Sequence, residues 1–322
     1  MIILIQSPFA RNHKLRDASW QAVHEAMKSD PMLHVFGEGA EVKAHYDAPA
    51  MLAEFPDRIH TMPISEDGNL NFACGASLLG IHPIVDVISC DFLFRCMDSL
   101  VNTAAKLRDK TLVVRCETMI GGPTTGQRPE SALAHVPGLR VVVPSTPRDA
   151  YALMKEALES HGVTVYIEDR MVADSGPWLP EDLEVGVLGG QYRRMGQRGQ
   201  PLLATYGVMR QRCDALVEEK GDPYREPNYD CGIFDLRKVS HVDYWLILKA
   251  LDRSGSLVIV EPDVVEYGIG AEIAARLVEM RPGLKVRRVG ARRQTVGAAP
   301  SLHGAALPTE AEIKEAIDAI TR

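Results

Sequence analysis

The chain has 322 residues, of which 46% are hydrophobic, and a formal net charge of −7 at pH 7. This length and composition can bury a large core and favour two domains over one. The negative charge argues against nucleic acid or an anionic membrane as the main partner. No apolar run is long enough to span a bilayer, and the first residues do not resemble a signal peptide, so we expect a cytoplasmic protein.

The six cysteines contain no C-x-x-C pair. This spacing favours reduced thiols in the core over a disulfide framework or a zinc site.

The first half of the chain alternates between strands and helices. Asp91 is expected to cap a helix that runs to about Lys106. Thr146 and Pro147 combine an N-cap hydroxyl with a proline at the first helical position, which predicts a helix ending near Ser160. Apolar runs predict strands at residues 84–88, 111–115, 141–143 and 163–167. Strands joined by helices predict a parallel sheet covered on both faces.

The segment 171–200 is rich in glycine, proline and charge, so we place a domain boundary there, with domains at 1–185 and 186–322. The alternation then resumes and predicts a second, smaller α/β domain. Its strands are expected at 202–206, 232–236, 257–260 and 286–289, and its helices at 209–220, 244–252, 270–280 and 309–320.

The stretch Pro63–Gly68 places a carboxylate, Glu66, on a tight turn between an extended segment and a helix. Residues 71–80 predict that helix, and its Ala, Gly and Ser residues would let another backbone approach closely before Gly80 stops it. A glutamate at the mouth of a buried interface would be desolvated and able to share a proton. Alternatively, Glu66 only favours a helix N-terminus through the dipole.

The run Thr61–Arg108 resembles the pyrimidine-binding domain of the β-subunits of 2-oxo acid dehydrogenase decarboxylase components. These thiamine-diphosphate enzymes of the transketolase-like superfamily act on pyruvate, branched-chain 2-oxo acids or acetoin. Further matches follow in order at 134–144 and 261–277, so the resemblance covers most of the chain. It implies an α/β fold: a three-layer, parallel-sheet pyrimidine-binding domain, then a smaller transketolase C-terminal-like α/β domain.

The resemblance also implies roles for four side chains. In thiamine-diphosphate enzymes a glutamate hydrogen-bonds N1′ of the aminopyrimidine ring and so promotes loss of the proton at C2. Glu66 stands at that position of the motif. Phe92 and Leu70 are expected to contact the cofactor, although Phe92 could be a plain core residue. Glu38 resembles a buried glutamate proposed to pass protons between sites, although a solvated loop glutamate is an alternative.

The chain departs from the family at one loop. Where the family carries His-His-Ser-Gln, this chain has Thr124-Thr125-Gly126-Gln127. The second family histidine is held to stabilise or protonate substrate-derived intermediates and to serve acyl transfer to lipoamide, and Thr125 cannot do acid–base work near neutral pH. Thr125, Gln127 and His135 are candidate substrate contacts, although His135 is more often structural. The loop after Arg108 is also shorter than in the family.

No Gly-Asp-Gly segment followed by asparagine at the spacing that holds magnesium and diphosphate occurs in the chain. We therefore predict no metal ligands here. The resemblance implies that Mg²⁺ and the diphosphate are bound mainly by an α-like subunit, in an α2β2 heterotetramer with each cofactor at an interface.

The predicted function is decarboxylation of a 2-oxo acid, with transfer of the acyl-carbanion equivalent to an acceptor. The acceptor could be lipoamide on a lipoyl-bearing acyltransferase core, or a carbonyl compound in a carboligase. The alternatives are half of a split transketolase acting on ketose donors, and a non-catalytic regulatory subunit. Retention of Glu66 and Phe92 argues against the regulatory reading, whereas Thr124 and Thr125 argue for it.

Overall fold

The structure is a computed structural model that describes residues 15–38, 48–118, 121–122, 124–173, 191–194, 196, 198–217 and 229–322. Within these ranges, no helix has both the length and the apolar character needed to cross a bilayer.

The first half forms a sheet with helices around it. Its strands are β1 (Leu33–Glu38), β2 (Ile59–Met62), β3 (His82–Ser89), β4 (Thr111–Thr118), β5 (Leu139–Val142) and β6 (Gly162–Asp169). Its helices are α1 (Leu15–Ser29), α2 (Ala48–Glu54), α3 (Glu66–Leu78), α4 (Glu130–Ala134), α5 (Pro147–Glu159) and α6 (Arg170–Ala173). All six strands are parallel, in the order β2-β1-β3-β4-β6-β5. The predicted parallel sheet is therefore confirmed.

The helix expected from Asp91 to Lys106 is wrong in type. The segment consists of a 3₁₀ helix (Cys90–Cys96), a π-helical turn (Ser99–Thr103) and a second 3₁₀ turn (Ala104–Lys106). Cys90, Leu93 and Cys96 are all buried, and this spacing of three residues puts them on one face of a 3₁₀ helix rather than an α-helix.

Asp91 does not cap this segment. Ser89 is the N-cap, and its hydroxyl oxygen accepts the Asp91 N–H at 3.3 Å. The Asp91 carboxylate is engaged elsewhere, by the Ser89 hydroxyl and by the Gln127 N–H. In contrast, the predicted cap at Thr146 is confirmed, because its Oγ1 accepts the Asp149 N–H at 3.1 Å.

The second half forms a five-stranded sheet. Its strands are β7 (Gln191–Arg194), β8 (Leu202–Thr205), β9 (Gly232–Asp235), β10 (Ser256–Val264) and β11 (Lys285–Ala291). Its helices are α7 (Val208–Val217), α8 (Tyr244–Ser254), α9 (Ile269–Met280), α10 (Pro300–Ala306) and α11 (Glu310–Thr321). The order is β11-β10-β8-β9-β7, with only β7 antiparallel. The sequence did not predict β7 or α10.

Backbone pairing joins the two sheets. Val142 bridges to Lys238, and the backbone around it is held by hydrogen bonds from Val143 N–H to the Arg237 carbonyl and from Val239 N–H to the Val141 carbonyl. One buried hydrophobic cluster also continues from α3 and β3 to α8 and α9. The loop that follows β4 is held against the second half of the chain by a separate hydrogen bond, from the Gly122 N–H to the Ala298 carbonyl at 2.8 Å. All six cysteines are buried in the core, as predicted, and each is free of a disulfide bond in the structure.

Candidate cofactor site

Four neighbouring strands of the first sheet end at the same edge, and the predicted residues follow those ends. Glu38 is the last residue of β1, and Glu66 comes shortly after β2. Phe92 comes shortly after β3, and the loop with Thr125 and Gln127 follows β4. Ligands of open parallel sheets bind at the carboxyl ends of the strands. The fold therefore brings residues from four separate parts of the sequence to one edge.

Glu66 is the first residue of α3 and is nearly buried, with 8% of its surface exposed. Its Oε2 forms an ion pair with Nε of Arg95 at 3.3 Å, and the Arg95 side chain is mostly exposed. A carboxylate in this setting can accept a hydrogen bond from a ligand while the helix N-terminus favours its charge. This position fits both hypotheses for Glu66: that it contacts a ligand, and that it stabilises the N-terminus of α3 through the helix dipole.

Three acidic side chains, from β1 and α3, act on the thiol of Cys96. The pKa of its thiol is raised to about 12, first by burial and then by the charges of Asp67, Glu66 and, more weakly, Glu38, while Arg95 opposes the rise. A side-chain network also joins α3 to the irregular helical segment, because the Ser99 hydroxyl donates to Asp67. Glu38 and Glu66 therefore share one neighbourhood.

Phe92 and Leu70 differ in how far a ligand could reach their side chains. Phe92 is half-buried and packs on the edge of the main hydrophobic cluster. Leu70 is fully buried within that cluster, on the inner face of α3. Phe92 is thus the more accessible of the two for a ring stacked on this edge, and cofactor contact stays a prediction for both.

The β4 loop is anchored next to Phe92. The Gln127 N–H donates to the Asp91 carboxylate at 2.8 Å, and the Cys90 thiol donates to the Gln127 carbonyl at 3.3 Å. Thr125 turns back on its own loop, with Oγ1 at 2.9 Å from the Gly121 carbonyl oxygen. His135 is exposed at the C-terminal end of α4.

A cavity of about 70 Å³ separates this loop from the second half of the chain. Its lining includes Gln127 and Arg128 from the loop side and Asp263, Arg292 and His303 from the other. Sequence reasoning missed the last three residues as site candidates. They form no motif, and the only signal was that Asp263 lies within the family-like run 261–277.

Buried charges hold the loop side of the cavity. Arg128 Nη1 lies 2.8 Å from Asp169 Oδ2 and 3.5 Å from Glu130 Oε1. Burial raises the pKa of Glu130 to about 7, although the Arg128 charge opposes the rise. Burial likewise raises the pKa of Asp263, whose carboxylate accepts the Ser131 hydroxyl.

The side chains at this edge fit one end of the cofactor implied by the resemblance. Glu66 offers a nearly buried carboxyl group that can share a proton with a ring nitrogen, and Phe92 offers an accessible flat face. In the described part of the chain, no three His, Cys, Asp or Glu side chains are grouped so that they could hold a metal ion. These residues thus fit the pyrimidine ring, and none is identified for the magnesium–diphosphate end.

Comparison with protein families matches residues 12–174 to the transketolase pyrimidine binding domain and residues 190–313 to the transketolase C-terminal domain. The chain belongs to the transketolase pyrimidine-binding family. Membership implies thiamine diphosphate as the cofactor. The predicted fold, a parallel-sheet pyrimidine-binding domain followed by a transketolase C-terminal-like domain, is confirmed.

Curated relatives of this transketolase-family chain are β-subunits. The chain is 27% identical to a pyruvate dehydrogenase E1 component subunit beta from Rickettsia felis, over 94% of this chain and 96% of the relative. It is 28% identical to the mitochondrial 2-oxoisovalerate dehydrogenase subunit beta 2 of Arabidopsis thaliana, over 85% and 79%. It is 26% identical to the acetoin:2,6-dichlorophenolindophenol oxidoreductase subunit beta of Cupriavidus necator, over 95% and 97%. The predicted resemblance is confirmed.

A solved structure shares the fold. The split-gene transketolase, described as an inactive β4 tetramer, aligns with a TM-score of 0.79 over 96% of this chain and 98% of that chain. The two sequences are 18% identical, and at that level the likeness shows the fold alone.

Proposed function

We propose that this chain is the β-like subunit of a thiamine-diphosphate enzyme that decarboxylates a 2-oxo acid and transfers the acyl-carbanion equivalent to an acceptor. One observation carries the proposal. Glu38, Glu66, Phe92 and the Thr125–Gln127 loop follow four adjacent strands and meet at one sheet edge. The β-subunit relatives, which align with 94% of the chain or more in two of the three cases, support it.

Thiamine diphosphate, when bound, supplies the carbanion chemistry at its C2 atom. Glu66 would hydrogen-bond the ring nitrogen N1′ and share a proton with it, and its burial strengthens that interaction. Arg95 would hold the carboxylate in place through the ion pair at 3.3 Å. Phe92 would pack against the ring, and the hydrophobic cluster behind it would keep water out.

The chain supplies half of the site in this proposal. An α-like subunit would bind Mg²⁺ and the diphosphate, in an α2β2 heterotetramer. Exposed apolar side chains on and beside α3 support the existence of such an interface: Ile64, Phe72, Leu78 and Leu79. Lipoamide is the weaker candidate acceptor, because Thr125 replaces the family histidine and its hydroxyl is held by its own loop.

Glu66→Gln tests the proposal, with Asp67→Asn as its matched control. Both carboxylates lie in the first turn of α3, so the helix-dipole hypothesis expects the two changes to act alike. We expect Glu66→Gln to slow exchange of the C2 proton of the cofactor, bound in the assembled enzyme, by roughly a hundredfold or more. Deuterium exchange followed by NMR on quenched samples measures this rate. Equal exchange rates in the two variants would reject the role of Glu66.

A further inference from the structure

His303 fills the space beneath the loop in which the resembled family carries its histidine pair. A Cβ atom added to Gly126 would lie 2.9 Å from His303 Cε1 and 3.2 Å from Nδ1. Gly126 stands where the family has serine, so a serine side chain could not share this arrangement with His303. The loop lacks both the histidines of the family and a side chain at position 126, and a histidine from α10 occupies the space.

The imidazole of His303 has an unused polar atom. The residue is 7% exposed and lines the cavity beneath the β4 loop. Among the described residues, no hydrogen bond reaches its buried Nε2. Buried polar atoms are rarely left unbonded, because each loses its hydrogen bonds to water on burial. A ligand in the cavity would supply the missing partner.

An exposed arginine at the edge of the cavity has N–H donors available for an anion. Arg292 is 78% exposed at the rim, and its contact with Glu312 uses only Nη2, so further N–H donors remain. Arg128 also lines the cavity, but its charge is paired with the buried carboxylates of Asp169 and Glu130. Asp263 is the acidic side chain of the lining, and one of its oxygens accepts the Ser131 hydroxyl and the other the Val264 N–H.

The volume of the cavity and its place in the fold limit which ligands could bind there. A buried water needs about 15 Å³, so a cavity of about 70 Å³ has space for a few non-hydrogen atoms of a small ligand. Gln127 lines the cavity, and its backbone N–H donates a hydrogen bond to the carboxylate of Asp91, the residue before Phe92. The cavity therefore adjoins the sheet edge that carries the proposed cofactor contacts.

We propose that this cavity, the His303 pocket, binds the carboxylate of a short 2-oxo acid, with His303 Nε2 and the Arg292 guanidinium as its hydrogen-bond donors. Arginine and carboxylate form paired, charge-assisted hydrogen bonds. That the acid is the substrate rests on the proposed function. Binding of the carboxylate itself does not.

The test uses the full single chain with ¹⁵N-labelled histidine and no cofactor. NMR spectra of the imidazoles are followed during titration with pyruvate, 2-oxoisovalerate, methyl pyruvate and inorganic phosphate. His303→Gln identifies the His303 signal by its loss. Arg292→Gln changes an exposed side chain and should leave the fold intact. Arg287→Gln and His161→Gln are matched controls at exposed positions outside the pocket lining.

We expect one of the two acids to shift the His303 signal saturably. Arg292→Gln should weaken that binding at least tenfold, whereas Arg287→Gln and His161→Gln should not change it. The proposal is overturned by no saturable shift at millimolar acid, by equal binding of methyl pyruvate or phosphate, or by unchanged binding to Arg292→Gln.

Glu66→Gln separates this proposal from the proposed function. The variant should bind the acid as the wild type does, because Glu66 is not part of the pocket lining. If the single chain binds the acid but the assembled enzyme never releases CO₂ from it, the proposed function fails and the pocket stands. If decarboxylation occurs and the acid leaves the His303 signal unmoved, the pocket fails.

Discussion

Thr125 is held by its own loop. Its Oγ1 lies 2.9 Å from the Gly121 carbonyl oxygen and 3.2 Å from that of Gly122, so the hydroxyl contributes to the turn rather than to proton transfer. A histidine at this position would lose these hydrogen bonds. It would also adjoin Gly126, against which His303 is packed.

We therefore expect the assembled enzyme to transfer acyl groups to lipoamide poorly, and Thr125→His alone not to restore that transfer. The physical reason is that a threonine hydroxyl can only hydrogen-bond, whereas imidazole can donate and accept a proton near neutral pH. Reductive acylation of a free lipoyl domain, assayed beside carboligation to an aldehyde, measures the two outcomes. Rapid acylation by the natural sequence would contradict the expectation.

Glu130 links stability to pH. Burial raises its pKa to about 7 in the folded chain, above the ordinary value of 4.5. Between these values the folded state binds more protons than the unfolded state, so its contribution to stability falls as pH rises from 4.5 to 7. Above pH 7 the contribution stays constant.

Glu130→Gln should remove this dependence. A difference of 2.5 pKa units corresponds to about 3 kcal/mol, at 1.36 kcal/mol per unit. We expect the free energy of unfolding of the wild type, relative to the variant, to fall by up to that amount across this window. Urea denaturation from pH 4.5 to 8 measures it, with the exposed Glu159→Gln as control. A constant difference between wild type and Glu130→Gln would refute the prediction.

Helix α3 buries one face and exposes another. Leu70 and Ala73 lie in the core, whereas Phe72 and Leu78 are more than half exposed and Leu79 is 85% exposed. Small residues gave the expectation of an interface helix. The exposed apolar side chains along α3 are consistent with that expectation, and they are the surface of this helix that a partner would cover.

Leu79→Glu should weaken assembly with the α-like subunit roughly tenfold or more, which is about 1.4 kcal/mol. The reason is that a charge would replace an apolar contact at a surface that becomes dry on binding. The isolated variant should remain folded, because residue 79 is outside the core. Sedimentation velocity on the mixed subunits measures the effect, with Val278→Glu on α9 as control. Wild-type assembly of Leu79→Glu would remove α3 from the interface.

At the scale of the whole molecule, the chain presents one end of a cofactor site. We expect the purified chain to bind thiamine diphosphate weakly or not at all, and to gain magnesium-dependent binding when an α-like subunit is added. The reason is that a bound metal ion is the largest charge that opposes an anionic diphosphate, and the proposal assigns that metal to the α-like subunit. Calorimetry on the single chain and on the assembled complex decides the matter. Tight binding by the chain alone would contradict the half-site proposal.

The sequence by itself determined the α/β fold, most strands and helices, and the candidates at the edge of the first sheet. These features depend on local chemistry. Apolar runs predict buried strands, and Thr146 and Pro147 specify the start of a helix. The sequence placed Glu66 on a turn before a helix at 71–80, whereas in the structure it is the first residue of α3, and the family resemblance supplied its proposed role.

Only the tertiary structure decided what depends on distant contacts. The segment after β3 forms 3₁₀ and π turns because Cys90, Leu93 and Cys96 all face one core. The Asp91 carboxylate in this segment also accepts a hydrogen bond from the backbone N–H of the distant Gln127. His303 meets Gly126 because the β4 loop packs against the segment that leads into α10, where the Gly122 N–H donates to the Ala298 carbonyl, so residues far apart in the sequence line one cavity. No local pattern encodes such a contact, since it exists only after both halves have folded.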